Sequence, residues 1–194
     1  MRILGVVLAG GGARRMGGVD KAFVRLNGTA LIEHVLARLA PQVSSIAISA
    51  NGNLQRFRDI GCDVLPDSVP LGPLSGILSA LDWAAAHGAA AVVSAPVDAP
   101  FLPADLAARL ALAAGSGVAV ARCDGRDHPV FGLWPVALAE DLRRFLASGE
   151  KPKVTTFADR HQAIRADFPD AGAFLNLNSP EDLAHAEALI RGAA

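Results

Sequence analysis

The feature that most restricts the fold of this chain is an apolar run that stops at three consecutive glycines. Val6, Val7 and Leu8 form the run, and Gly10–Gly12 follow it. Such a run is typical of a short parallel strand that is buried on both faces. Glycines let the backbone adopt positive φ and approach a ligand without an intervening Cβ. The stretch therefore predicts a buried strand and a loop that can present several N–H groups to one anion.

Three basic residues come soon after the glycines: Arg14, Arg15 and Lys21. Amide dipoles close to a ligand and full charges further out suit a phosphate chain. Two well-known phosphate loops do not fit, however. A dinucleotide-binding fingerprint needs a glycine where this chain has Arg15. A P-loop needs Gly-Lys-Ser/Thr, whereas residues 17–19 read Gly-Gly-Val. The loop therefore indicates phosphate binding of another kind.

Composition limits the class of protein. Of the 194 residues, 52% are hydrophobic and 19% are charged, which favours a compact globular fold over disorder. We expect residues 1–194 to form a single domain. The net charge of -1 and the absence of tyrosine argue against general attraction to nucleic acid and against base stacking. Any anion must be held by local charge.

The sequence favours a cytoplasmic location. The start, MRILGVVLAG, meets glycines and arginines where the cleavage site of a secretion signal would stand. The apolar stretch 84–97 contains His87 and Pro96 and is shorter than the roughly 20 residues that a membrane span requires. Cys62 and Cys123 are far apart and have no metal-ligand spacing, so we expect free thiols in a reducing compartment.

Strand and helix patterns alternate along the first two thirds of the chain. After the first strand we expect strands at 45–50, 62–65, 89–95, 117–122, 129–133, 162–166 and 174–177. We expect helices that begin after Thr29, at Leu54, at Pro73, at Pro103, at Pro135, near Val154 and at Pro180. Alternation of this kind predicts an α/β fold with a mainly parallel sheet and helices on both faces.

Ligands of such sheets bind beyond the carboxyl ends of the strands, where the strand order reverses. The residues just past predicted strands are Gly10–Gly12, the segment 49–53, Asp67 and Asp98. Asp98 stands between two prolines, so a stiff backbone holds its carboxylate. Magnesium prefers one or two carboxylates together with water and phosphate oxygens. We therefore predict that Asp98 binds a metal ion beside a nucleotide.

Taken whole, the string LAGGGARRMGGVDKAF at 8–23 resembles the signature loop of the GT-A-like nucleotidyltransferases, which have the nucleotide-diphospho-sugar transferase fold. Within them it is most similar to the molybdenum cofactor guanylyltransferases. The segments PDSVPLGPLSGI at 66–77 and SAPVDAPFLP at 94–103 resemble further segments of that family. The resemblance is strongest through Asp98 and weaker between Gly149 and Asp170.

This resemblance implies transfer of GMP from GTP to the phosphate of molybdenum-molybdopterin, with Mg²⁺, or alternatively Mn²⁺, as the metal. It implies catalytic roles for Lys21, Asp98 and Arg15. The nucleotide-binding residues would be Leu8, Ala9, Gly10, Gly11, Gly12, Lys21, Asp67 and Asp98. Because the family often has asparagine where this chain has Ser49, it stays open whether Ser49, Asn51 or neither contacts the nucleotide. Asp67 is equally compatible with contact to guanine or to ribose.

The second half of the chain contains the residues that the resemblance places next to the pterin substrate. The segments RDHP at 126–129 and FLNLNSP at 174–180 resemble family segments near the pterin. Asn176 and Asn178 alternate on the predicted last strand and so point the same way. With His128, they are the candidate substrate-binding residues. Lys151 and Lys153 are further candidates for phosphate contact, although Pro152 between them departs from the family pattern.

Other functions remain open from the sequence. A cytidylyltransferase of the same build, acting on molybdopterin or on a sugar or alcohol phosphate, is one alternative. A non-catalytic nucleotide-binding partner is another, while the failed glycine spacing disfavours an oxidoreductase. The resemblance also implies transient contact with proteins that deliver or receive the cofactor, whereas the net charge of -1 argues against contact with nucleic acid or membrane. No candidate covalent nucleophile is present, which suits direct phosphoryl transfer.

Overall fold

One sheet of seven strands forms the centre of the molecule. The computed structural model describes residues 1–10, 20–67 and 71–192. The sheet strands are β1 (Ile3–Leu8), β4 (Ile46–Ala50), β5 (Asp63–Pro66), β6 (Ala91–Pro96), β7 (Ala119–Cys123), β8 (Arg126–Pro135) and β9 (Ile164–Phe168). A small hairpin contains β2 (Arg25–Leu26) and β3 (Thr29–Ala30). The order β5-β4-β1-β6-β8-β7-β9 puts the two most apolar runs, β1 and β6, side by side near the middle.

The sheet is mainly parallel, as the alternation predicted. β1 pairs in parallel with both β4 and β6, and β4 with β5 and β7 with β9 do the same. Strand β8 runs antiparallel to both of its neighbours. Asp124 and Gly125 turn the chain directly from β7 into β8 with φ of 47° and 73°. A turn this short can join only antiparallel strands.

Helices cover both faces of the sheet. They are α1 (Leu31–Leu39), α2 (Pro73–Ala86), α3 (Leu106–Ala114), α4 (Ala139–Ala147), α5 (Val154–Arg160) and α6 (Pro180–Gly192). Along β1, Val7 packs in the core on the side of α1 and α3. Leu4 and Val6 pack in the core on the side of α2, α4 and α5. The predicted α/β fold with two helical layers is therefore confirmed. No helix in the described part of the chain is long and apolar enough to cross a membrane.

Two local predictions are wrong. Residues 174–177 do not form a strand; a 3-10 helix, Ala171–Phe174, ends there. The Asp170 carboxylate accepts a hydrogen bond from the Gly172 N–H (2.8 Å) and caps that turn. Thr29 lies in β3, and α1 begins instead after Ala30, whose N–H donates to the Glu33 carboxylate (2.9 Å).

The strand order reverses between β1 and β6. From β1 the chain moves outward through β4 to β5, and α2 then carries it back across the sheet to β6 on the other side of β1. Past the strand ends, the Val97 N–H donates to the Leu8 carbonyl (3.1 Å). The carboxyl ends of β1 and β6 therefore lie together at the position where ligands bind in folds of this class.

Candidate active site

A cleft of about 560 Å³ opens at this edge of the sheet, a volume typical of small-molecule sites. Its walls come from the ends of β1, β4, β5 and β6 and from residues of α2, β8 and the segment before α6. Of the predicted site residues, those that line it are Leu8, Gly10, Lys21, Ser49, Asn51, Asp67, Asp98, His128, Asn176 and Asn178. The fold thus brings together residues from nearly the whole length of the chain.

The remaining candidates are placed differently. Gly11, Gly12 and Arg15 lie outside the described residues. Ala9 is not in the wall of the cleft: it packs in the core, and its N–H donates to the Ser49 carbonyl (2.8 Å). Lys151 and Lys153 precede α5 and are likewise not part of the lining.

Asp67 is held at one end of the cleft by two neutral donors. Ser49 Oγ donates to one carboxylate oxygen of Asp67 (2.8 Å), and Asn51 Nδ2 donates to the other (2.7 Å). Ser49 is 1% exposed, so its hydroxyl has little access to water. The two bonds fix the plane of the carboxylate. Neither donor carries a charge, so neither neutralises the carboxylate. It can therefore accept hydrogen bonds from a polar ligand.

Gly76 in α2 supports this end of the cleft, and sequence analysis missed it. A Cβ at this position would lie 2.4 Å from Ser49 Oγ and 2.7 Å from Leu8 Cδ2. Only glycine lets α2 approach β1 and β4 this closely. A glycine inside an otherwise helical pattern was the available signal.

Replacing Gly76 by alanine is expected to raise the KM for the nucleotide that the sequence predicts to bind here, and to destabilise the fold by about 1–3 kcal/mol, because Ser49 must move and overpacking costs that much. This loss opposes the gain of about 1 kcal/mol that alanine usually brings to a helix. The matched control is Gly192→Ala in α6, where the added methyl meets nothing within 4 Å. Urea unfolding and steady-state kinetics measure both effects. A Gly76→Ala protein as stable and as active as the control would contradict the steric account.

Lys21 and Asp98 meet at the centre of the cleft. Lys21 Nζ donates to Asp98 Oδ2 (2.6 Å) and to Asn178 Oδ1 (2.7 Å). Both charged side chains are 20% exposed, so they remain accessible to a ligand. The Asp98 carbonyl accepts from the Leu177 N–H (2.8 Å). The end of β6 is therefore bound to the segment that carries both asparagines.

The donor set at this point fits a hard divalent cation. The described residues contain no group of three or more His, Cys, Asp or Glu side chains that could hold a metal by themselves. Asp98 offers one carboxylate, with one oxygen already hydrogen-bonded to Lys21. Mg²⁺ commonly binds through one or two carboxylates and takes its other ligands from water and substrate phosphates. Asp98 beside a triphosphate would meet that requirement.

Asn176 and Asn178 face the cleft although they lie on no strand. Leu177 between them is buried, and this alternation turns both amides to the same side. The Asp182 carboxylate accepts from the N–H groups of Asn178 (2.8 Å) and Ser179 (2.9 Å), and Ser179 Oγ accepts from the Asp182 N–H (3.2 Å). This capping box starts α6 and fixes Asn178. The bond from the Asn178 N–H also lowers the pKa of Asp182.

His128 lies in the opposite wall as part of an aromatic cluster. Its ring stacks on Phe174 at 4.5 Å between centroids, with an angle of 21° between planes, and Phe131 packs edge-on against both rings. Burial, and then the Arg126 guanidinium, lower the pKa of His128, while Asp127 acts in the opposite direction. At neutral pH the imidazole is therefore a neutral hydrogen-bonding group.

This lowered pKa makes the stability of the protein depend on pH. The unfolded chain binds a proton at His128 near pH 6.5, and the folded chain binds it only at lower pH. The unfolded state thus holds more protons in that interval, so stability falls as the pH drops below about 6.5. His128→Gln should lose less stability than the wild type between pH 7.5 and 5.5 in urea titrations. An unchanged acid dependence would contradict this assignment.

Two charged neighbours of His128 in the same RDHP segment were not among the candidate residues of the sequence analysis. Arg126 and Asp127 both line the cleft. Asp127 accepts from Arg122 Nε (2.7 Å) and Arg165 Nε (3.1 Å), and the bond from Arg122 is the main cause of its lowered pKa. Arg165 reaches Asp127 from β9, a contact that no local pattern reveals. This pairing fixes the backbone on which His128 and Arg126 stand.

This chain is similar to known proteins in both sequence and fold. Residues 5–164 match the family described as MobA-like NTP transferase domain. A relative from Cereibacter sphaeroides, named molybdenum cofactor guanylyltransferase, is 59% identical over 191 residues, which cover 98% of each chain. The crystal structure of molybdopterin-guanine dinucleotide biosynthesis protein A from Archaeoglobus fulgidus has a TM-score of 0.76 at 23% identity, over 97% of this chain and 99% of that one. A Mycobacterium tuberculosis protein solved in complex with manganese has a TM-score of 0.69 at 16% identity, over 97% and 99%. The two structural likenesses bear on the fold.

Proposed function

Because this chain belongs to the molybdenum cofactor guanylyltransferases and carries their MobA-like NTP transferase domain, we propose that its cleft binds GTP and molybdenum-molybdopterin side by side and transfers GMP between them. An oxygen of the cofactor's phosphate attacks the α-phosphorus of GTP in line, the bond from that phosphorus to the bridging oxygen breaks, and pyrophosphate leaves. The protein needs no covalent intermediate.

One observation carries this proposal: Lys21 contacts Asp98 and Asn178 at the same time. The Lys21 ammonium stands between the expected metal site and the expected pterin side, where charge must be neutralised as the phosphoryl group moves. Holding both substrates around this point replaces a bimolecular encounter by reaction within one complex.

The nucleotide side is assigned to the end of the cleft that holds Asp67. A carboxylate fixed by Ser49 and Asn51 suits the N1–H and N2–H donors of guanine or the hydroxyls of ribose. Leu8 and Gly10 line the same end. By family resemblance, Gly11, Gly12 and Arg15 also belong to the nucleotide site, whereas Ala9 packs in the core beneath it.

Asp98 would hold the metal ion, Mg²⁺ or Mn²⁺. When bound, the ion supplies positive charge to the triphosphate and orients it. Lys21 binds the same phosphates as a point charge. Because Ser49 and Asn51, which donate to Asp67, are neutral, the Asp67 carboxylate keeps its negative charge for hydrogen bonds from the nucleoside.

The substrate side is assigned to Asn176, Asn178 and His128. Two amides on one side of an extended segment can donate to and accept from a polar heterocycle. The neutral His128 ring suits a hydrogen bond, and Arg126 beside it supplies the positive charge that a substrate phosphate needs. The single-domain organisation and the cytoplasmic location stay predictions, as does transient docking of proteins that deliver or receive the cofactor.

Pyrophosphate release with each of the four nucleoside triphosphates, with and without molybdenum-molybdopterin, tests this function. Release with GTP alone among the nucleotides, and only when the cofactor is present, is the expected result. Release with CTP would favour the cytidylyltransferase alternative. GTP binding without pyrophosphate release under any acceptor would favour the non-catalytic one.

A further inference from the structure

One side chain joins the two ends of the cleft without lining it. Arg56 lies in the 3-10 helix Leu54–Ile60. Its Nη1 donates to the carbonyls of Asn51 (2.9 Å) and Asn53 (2.5 Å). Its buried Nε forms an ion pair with the Asp20 carboxylate, although no acceptor among the described residues lies in hydrogen-bond geometry to it. Arg56 therefore ties the segment after β4 to the residue directly before Lys21.

Both partners of Arg56 lead to residues of the cleft. Asp20 Oδ1 accepts from the Ala22 N–H (3.1 Å) and starts the short helix that carries Lys21, while Asp20 Oδ2 pairs with Arg56. Asn51, on the other side, donates its side chain to Asp67. The guanidinium is thus the link between the expected nucleoside end and the expected phosphate end.

A purely packing role would explain only part of these contacts. The guanidinium lies over the Phe57 ring at 4.5 Å, and its side chain is 23% exposed. A contact with an aromatic ring needs only a cation and carbon atoms. Simultaneous contact with two carbonyls and a carboxylate on separate segments uses the fixed, planar set of donors that distinguishes arginine from lysine.

We propose that Arg56 is a positioning residue for the nucleotide: it holds Lys21 and the Asn51–Asp67 pair at a fixed separation, so that GTP enters a preformed site. The proposal rests on the function proposed above and goes beyond it, because Arg56 is not among the residues that line the cleft. Preorganisation of this kind lowers the cost of binding. Its loss should weaken GTP binding more than it slows the chemical step.

Arg56→Gln tests this role, with Arg58→Gln as the matched control. Arg58 lies two residues further along the same helix, is 71% exposed and pairs with the exposed Asp59. The KM for GTP should rise roughly tenfold in Arg56→Gln, as expected for a lost charge-assisted bond, with kcat within about threefold of wild type. Arg58→Gln should match the wild type. If Arg56→Gln only destabilised the fold, fewer molecules would be active, so the apparent kcat would fall while the KM for GTP stayed the same. That result overturns the proposal.

Asp20→Asn supplies a second, independent measurement. Asparagine keeps the cap on Ala22 and removes the charge that faces Arg56. If Arg56 acts through Asp20, the variant that combines Asp20→Asn with Arg56→Gln should have a KM for GTP close to that of Arg56→Gln alone. The effects of coupled residues are not additive. If the two substitutions instead raise the KM for GTP independently, so that their factors multiply, Arg56 does not act through Asp20.

Equilibrium binding of GTP distinguishes a failure of the proposed function from a failure of the proposed role of Arg56. A wild type that releases no pyrophosphate refutes the proposed function, and equal GTP affinity of wild type and Arg56→Gln refutes the role of Arg56.

Discussion

Replacing Asp98 by asparagine should reduce GTP turnover by a factor of roughly 10³ or more, equivalent to about 4 kcal/mol of transition-state stabilisation, while the protein stays folded. Asparagine has the same shape, and its side-chain oxygen can still accept from Lys21, which now contacts Asp98 at 2.6 Å. The Asp98 carbonyl keeps its bond to the Leu177 N–H. What the variant loses is the negative charge that a divalent cation needs. Pyrophosphate release over a range of Mg²⁺ and Mn²⁺ concentrations measures the loss.

The matched control for this variant is Asp105→Asn. Asp105 precedes α3, is exposed and pairs with Arg109, so its neutralisation should leave turnover within about twofold of wild type, as is usual for surface positions. Circular dichroism and thermal unfolding show whether each variant is folded. A folded Asp98→Asn protein that keeps turnover within about threefold of wild type would remove Asp98 from the metal site.

Lys21→Met is expected to lower kcat/KM for GTP by roughly 10² to 10³, and it should also raise the KM for molybdenum-molybdopterin. Methionine keeps the length of the side chain and removes the charge. The effect on the second substrate follows from the bond between Lys21 Nζ and Asn178 Oδ1 (2.7 Å), because that bond helps to fix Asn178 toward the cleft. Steady-state kinetics with each substrate varied in turn measures both effects.

Arg191→Met controls for the loss of one cation. Arg191 is exposed near the end of α6 and faces Glu187 at 3.8 Å, a separation at which surface pairs contribute little. Its kinetics should equal those of the wild type. If Lys21→Met changed KM for GTP but left that for the second substrate unaltered, Lys21 would act on the nucleotide alone. Activity within about fivefold of wild type would exclude it from catalysis.

Some features of this protein follow from local sequence patterns, and others depend on contacts between distant residues. Strand β1, the buried strand β6 and the capped start of α6 could all be predicted from local patterns. Asp67 and Asp98 could be placed at the ligand edge because each follows a strand. The strand predicted at 174–177 is wrong, since the Leu177 N–H bonds to the Asp98 carbonyl and not to a neighbouring strand. That choice of partner is not encoded in the residues around Leu177.

The sequence by itself determined the alternation of strands and helices and the family to which the chain is similar; it also predicts that the first loop binds phosphate. These properties depend on periodicity, turn chemistry and residue type within short windows. Only the tertiary structure decided that β8 lies between β6 and β7, that Gly76 must be small, and that Arg56 links Asp20 to Asn51. It also decided that Lys21 meets Asn178 across 157 positions of sequence. Such contacts arise when the sheet is packed between its helices, because packing sets which distant side chains share a wall of the cleft.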